Sequence, residues 1–144
     1  MIAIDSNILI YAHRRDSPWH DRATARLKEL AEGRAVWGLP WPCLHEFLAI
    51  ATHPRIYAPP STLKQGIAQV EAWLSSPSAI LLSETEDYWS IFGNVLAASR
   101  VTGPRVHDAR IAALCLAHGV RELWTADRDF SAFSDLTVRN PLAE

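Results

Sequence analysis

Cysteine is scarce in this chain, charge of one sign is lacking, and no apolar run is long enough to cross a membrane. The only two cysteines, Cys43 and Cys115, have no Cys-x-x-Cys spacing and lie in apolar helical patterns. That excludes a disulfide scaffold and points to reduced, buried thiols of a cytoplasmic protein. The longest apolar stretches fall short of the roughly 18 residues of a membrane span. Asp5 interrupts the apolar opening and no basic leader precedes it, which argues against a secretory signal. The formal net charge of -2 does not announce a polyanionic partner, so any nucleic-acid contact must come from a local basic patch or a bound metal. There is no internal repeat, low-complexity tract or linker. No Ser or Cys has the flanking glycines of a nucleophile elbow, no Gly-rich loop is built to cradle phosphate, and no Cys/His spacing suits zinc. These absences disfavour a protein nucleophile and leave water activated by a metal ion.

What is present fits one globular domain, residues 1–144, with 49% hydrophobic and 21% charged residues. The element pattern alternates strands and helices. Ile2-Ala3-Ile4 reads as a buried parallel strand. A short helix is predicted over Ile8–His13 and a second from Ser17-Pro18 to Gly33. Strand Ala35–Leu39 leads into helix Cys43–Thr52, which His53-Pro54 stops. Helix Ser61–Leu74, strand Ala79–Leu82 and helix Glu84–Val101 follow, the last with a stripe of Tyr88, Ile91, Phe92, Val95 and Leu96. Helix Arg105–His118 presents Ala109, Ala112, Ala113 and Leu116 to a core. Strand Glu122–Thr125, a loop or helical turn over Asp127–Phe133 and a last edge strand at Leu136–Val138 complete the pattern. Such alternation predicts an α/β fold with a mostly parallel sheet of four or five strands and right-handed crossovers. Functional sites of such sheets form at the carboxyl ends of the strands. Six tryptophans suggest that some serve an interface.

Four acids spread along the chain carry the chemistry: Asp5 and Asp127 just past predicted strand ends, Glu46 inside a helix and Asp108 in a first helical turn. Each has a plain structural use as well. Asp5 can cap the helix after the first strand, a contribution of roughly 0.5–2 kcal/mol. Glu46 can be an exposed helix residue, although apolar Leu44, Phe47, Leu48 and Ile50 surround it in sequence. Asp108 sits in a first helical turn, where the macrodipole favours an acid. Asp127 and Asp129 can be turn residues, yet Thr125-x-Asp-x-Asp-Phe130 is more specific than a lone Asp. Carboxylates gathered into one pocket repel one another and persist where a divalent cation neutralises them. Such a cation does hydrolytic chemistry on phosphates. Asn7 and Thr125 are candidates to support the acids. Arg105, Arg110 and Arg128, with Arg14 and Arg15 farther off, are candidates for phosphate contact. Trp37 or Trp41 could stack on an exposed base. His45 and His107 each precede an acid and point about 100° away from it, so a supporting role is expected. His13, His20, His53 and His118 show no partner pattern.

These regions, in this order, resemble the PIN-domain nucleases and more narrowly the VapC-type toxins of bacterial toxin–antitoxin pairs. The resemblance rests on residues 1–12 (MIAIDSNILIYA), 46–57 (EFLAIATHPRIY), 106–114 (VHDARIAAL), 125–130 (TADRDF) and 140–142 (NPL), and so covers essentially the whole chain. It implies a three-layer α/β/α sandwich around a central parallel sheet, and a site of Asp5, Glu46, Asp108 and Asp127 with Thr125 and Asp129 nearby. It also implies a small antitoxin whose tail covers a groove, and dimerisation. The expected reaction is Mg²⁺-dependent hydrolysis of an RNA phosphodiester, with Mn²⁺ an alternative, the ion held by Asp5 and Asp108 and its shell completed by Glu46 and Asp127. Three readings compete: a housekeeping RNA-processing nuclease, a non-catalytic RNA- or protein-binding module, and an aspartyl-phosphate phosphotransferase with Asp5 as nucleophile. The last fits poorly, because Asn7 occupies the place of a second acid and Lys28 and Lys64 lie in ordinary helix positions.

Overall fold

The chain starts in the middle of its own sheet. In the computed structural model, which describes residues 1–143, strand β1 (Ile2–Ile4) pairs in parallel with β2 (Trp37–Pro40) on one side and β4 (Glu122–Trp124) on the other. Strands β3 (Ala79–Leu82) and β5 (Thr137–Arg139) complete the order β3-β2-β1-β4-β5, with every pairing parallel. Glu144, the last residue of the expected domain, lies outside the described residues. Six helices connect the strands: α1 (Ser6–His13), α2 (His20–Glu32), α3 (Trp41–Ala51), α4 (Leu63–Leu74), α5 (Tyr88–Ser99) and α6 (Val106–Ala117). The chain steps outward from β1 to β2 to β3, then returns past β1 to β4 and β5. With right-handed crossovers, the two halves place their helices on opposite faces, which makes the three layers. The reversal falls between β1 and β4, and a crevice opens outside the carboxyl ends of strands at such a point.

Strand β1 is continuously apolar because it is covered on both faces, and Ala3 and Ile4 have no exposed surface. Trp37, Phe47 and Phe130 are the largest fully buried side chains, and they pack with Ile8, Leu9, Leu39 and Leu123 in one core. Gly38 permits the close packing of β2 and β3, since a Cβ there would stand 3.0 Å from Leu82 Cδ1 and 3.3 Å from Met1 Sδ. The burial of Trp37, whose indole nitrogen donates to Ser76 Oγ at 3.2 Å, removes it as a platform for an RNA base. Trp41 is half-buried at the start of α3. Both cysteines are buried and free. Among the described residues no helix is long and apolar enough to cross a membrane.

Local chemistry explains where the boundaries moved. Helix α1 begins at Ser6 rather than Ile8, because Asp5 is its cap and accepts from Ser6 N. Helix α4 begins at Leu63 rather than Ser61, because Thr62 and Gln65 form a reciprocal capping box. Helix α5 is shorter than the span from Glu84 to Val101. Arg100 adopts a left-handed conformation (φ 59°) that ends it, and Val101 turns into the core. Its expected stripe is only half-buried: no α5 residue is fully buried, Phe92, Val95 and Leu96 lean on the core, and Trp89 is 76% exposed.

Candidate active site

Asp5 extends β1 by one residue, its N–H donating to Trp124 O at 3.0 Å. Thr125 follows β4 in the same way, its N–H donating to Arg139 O. The two side chains therefore meet at the strand ends, and Thr125 Oγ1 donates to Asp5 Oδ2 at 2.8 Å. Asn7 Nδ2 donates to the same carboxylate oxygen at 3.2 Å, while Oδ1 accepts from Ser6 N at 2.8 Å and from the Cys43 thiol at 3.5 Å. Four donors thus meet the roughly four lone-pair positions of one buried carboxylate. Desolvation nevertheless raises the Asp5 pKa above its ordinary value. The hydrogen bonds from Thr125 and Ser6 oppose that rise, and the Glu46 charge adds to it.

Asn7 and Thr125 extend this frame to the next loop. Asn7 Oδ1 accepts from Ala126 N at 3.0 Å, and Asn7 Nδ2 reaches Thr125 Oγ1 at 3.0 Å. Thr125 Oγ1 also accepts from Asp127 N at 3.0 Å. Asp127 Oδ1 accepts from Asp129 N at 2.9 Å and caps a short 3-10 turn, Arg128–Ala132, anchored by buried Phe130. A hydrogen-bonded chain therefore runs from the end of β1 to the acids that follow β4.

Those acids meet Asp108 from the first turn of α6. One carboxylate oxygen each from Asp108, Asp127 and Asp129 lies within 4.8 Å of the others. Partial burial, with the charges of Asp127, Asp5 and Asp129 behind it, pushes the Asp108 pKa up to about 6, against the pull of Arg105. Arg105 Nη2 donates to Asp129 O at 2.8 Å, so this arginine fastens the 3-10 turn to the entry of α6. Three hard oxygen donors with one nearby guanidinium fit Mg²⁺ or Mn²⁺ by donor chemistry, since both ions take carboxylate oxygens and keep water in the rest of the shell.

Glu46 stands on exposed α3 surface and is tied to the frame by Ser6 Oγ, which donates to Glu46 Oε1. The four expected acids therefore do not form one equal set. Asp108 and Asp127 gather with Asp129, Asp5 is held in its cage of donors while its charge acts on Asp108 more than that of Asp129 does, and Glu46 is tied to the frame through Ser6. Ser6, Cys43 and the cleft-lining pair His45 and His107 are further neighbours of the site. Ser6 had a signal in its place directly after Asp5. Nothing in the local pattern of α3 marks the Cys43 thiol. Of the arginines, Arg110 makes a 3.5 Å ion pair with Glu84, and Arg128 is exposed. Arg14 is held away from the acids by Asp16, Pro59 O and the Tyr57 ring. A groove of about 1040 Å³ runs beside α1, α2 and α4, lined by His13, Arg15, Gln65 and Gln69, and contains none of the acids.

The PIN domain family model matches residues 2–136. Ribonuclease VapC33 of Mycobacterium tuberculosis is 34% identical over 144 residues, covering 100% of both chains. Among solved structures, VapBC2 of Rickettsia felis, bound to a promoter DNA fragment, superposes with a TM-score of 0.70 at 18% identity, over 97% of this chain and 98% of that one. VapC20 of Mycobacterium tuberculosis, a toxin that cleaves the sarcin-ricin loop, gives 0.67 at 17% identity, over 94% and 98%.

Proposed function

The chain belongs to the PIN domain family and stands among its VapC members, and from that premise we propose that it is a metal-dependent endoribonuclease acting as the cytoplasmic toxin of an antitoxin-paired system. The observation that carries this reading is the group of Asp108, Asp127 and Asp129 beside caged Asp5, at the point where the sheet reverses direction. Asp108, Asp127 and Asp129 would hold Mg²⁺ (or Mn²⁺), with Asp5 and Glu46 acting directly or through water. A bound ion supplies positive charge to the phosphoryl oxygens and acidifies an attacking water. The chain's own part is placement. Thr125 and Asn7 fix the Asp5 carboxylate, Asp127 caps the turn that presents Asp129, and Arg105 holds that turn against α6. Arg128, exposed at the start of the turn that carries Asp129, is the candidate contact for the RNA backbone, and Arg110 is a candidate RNA contact from α6. The groove beside α1, α2 and α4 has room for a segment of a small antitoxin, and a second copy of the chain is a further expected partner.

Cleavage of single-stranded RNA by the purified chain, stopped by chelator and restored by Mg²⁺, is the expected outcome. Asp108→Asn and Asp127→Asn should abolish it while the melting transition persists. Cleavage that survives chelation, or survives both substitutions, removes the metal-site reading.

A further inference from the structure

Two histidines differ from the rest. His13 bonds Gln69 and Ser61, His20 meets Tyr11 O, His53 accepts from Arg55 N and His118 meets Ser83 O. Of the histidines, all among the described residues, His45 and His107 make no hydrogen bond to the protein; both are exposed, and both line the same cleft of about 260 Å³ between α3 and α6. The indole of Trp41 backs the His45 ring at 6.1 Å between centroids. Apolar surface comes from Pro42, Ala49 and Ile111, and Arg110 adds a guanidinium whose 3.5 Å pair with half-exposed Glu84 is easily given up. Glu46, which Ser6 ties to the Asp5 frame, belongs to this lining as well.

Planar groups with free edges over an apolar floor suit a flat ligand with donors and acceptors on its rim. A nucleobase from an unstacked strand has that chemistry. A phosphate is disfavoured there, because the Glu46 carboxylate is in the wall. We propose that the α3–α6 cleft is a subsite for one unstacked base of single-stranded RNA, adjacent to the phosphate that reacts at the acidic cluster. This rests on the ribonuclease reading. His45 neighbours Glu46 and His107 neighbours Asp108 in sequence, so the cleft is built on the same two helices that carry those acids.

The test uses the full chain with Mg²⁺ on single-stranded RNAs randomised around the cut, with 5′ ends sequenced and KM and kcat measured. Ala49→Phe fills the cleft from an exposed α3 position, and His45→Ala removes an edge. The wild type should prefer one base at a fixed position beside the cut. Both variants should flatten that preference at least about five-fold and raise KM, the scale of one lost base stack, while the Mg²⁺-dependent rise in Tm stays as in wild type. Unchanged preference and KM in both variants overturns the subsite and leaves the nuclease reading standing. Loss of the Mg²⁺ response together with activity also overturns it, by placing the effect at the metal. An Arg110→Ala variant that lowers the salt dependence of binding without touching base preference makes the cleft a phosphate groove and rejects the proposal. A wild type that cuts no RNA sinks both readings together.

Discussion

Asp108→Asn separates charge from shape at the acidic cluster, because the amide keeps the size of the carboxyl and none of its charge. The Asp108 carboxyl is pushed from 3.8 to about 6, first by burial and then by Asp127, Asp5 and Asp129. Such a rise corresponds to about 3 kcal/mol at full weight. Asp108 is only partly buried, so solvent screening leaves about 1–2 kcal/mol as the expected part. The native carboxyl keeps its proton to higher pH than the unfolded one. The native state therefore binds more protons between about pH 4 and 6, and wild-type stability falls as pH rises through that window and stays lowered above it. In metal-free buffer near pH 7.5, Asp108→Asn should be the more stable protein by about 1–2 kcal/mol, a Tm higher by about 3–6 °C for a chain of this size. Near pH 4 the two should melt together. Millimolar Mg²⁺ should reverse the order, because the wild type gains binding energy on folding and the variant gains little. Thermal melts in chelator and in Mg²⁺ across this pH range measure all three. A variant no more stable than wild type at neutral pH in chelator, or a difference that persists unchanged at low pH, refutes the repulsion argument.

Asp5→Asn should act with the opposite sign, destabilising by about 1–3 kcal/mol: the relief of the burial that raises its pKa is outweighed because one amide oxygen cannot accept from Ser6, Asn7, Cys43 and Thr125 together; urea unfolding reads this, and a variant as stable as wild type counts against the cage. Thr125→Val removes a hub that bonds Asp5, Asn7 and Asp127 N and should cost about 2–3 kcal/mol, whereas Thr125→Ser should restore most of it. Arg105→Ala should weaken Mg²⁺ affinity in calorimetric titration by loosening the Asp129 turn, and leave the salt slope of RNA binding unaltered. Arg128→Ala should lower that slope by about one, and the reverse pattern would exchange the two roles.

The parts of this molecule that depend on nearest neighbours were legible. Ile2-Ala3-Ile4 followed by Asp5 fitted a covered strand with an acid at its carboxyl end, and Ala79–Leu82 kept its boundaries. Helix ends drifted where a side chain closed a turn that periodicity cannot see, as Thr62 and Gln65 do at α4 and left-handed Arg100 does at α5. The half-exposed stripe of α5 shows the same limit in packing. An amphipathic pattern says which face is apolar, not whether anything covers it. Asp129 was expected near the site, but the 3-10 turn that brings it against Asp108, held by Arg105 across 24 residues, was out of reach. So was the Cys43 thiol against Asp5, which depends on how α3 lies beside β1.

The two kinds of acid divide the labour of the site. Asp5, buried and surrounded by donors, is held in place by its cage, so exchanging it costs stability whatever part it also takes at the ion. Half-exposed carboxylates that crowd one another destabilise the metal-free chain, and the fold tolerates them because the cage around Asp5 fixes the loop that carries two of the three. That arrangement predicts a coupling. Loosening the cage through Thr125→Val should relieve part of the repulsion at Asp108, so Asp108→Asn should stabilise the Thr125→Val background less than it stabilises wild type. A double-mutant cycle in metal-free buffer should show an interaction of about 0.5 kcal/mol or more. Strict additivity would mean that the cage and the cluster are independent, and that some other contact, such as Arg105 on Asp129 O, holds the acids together.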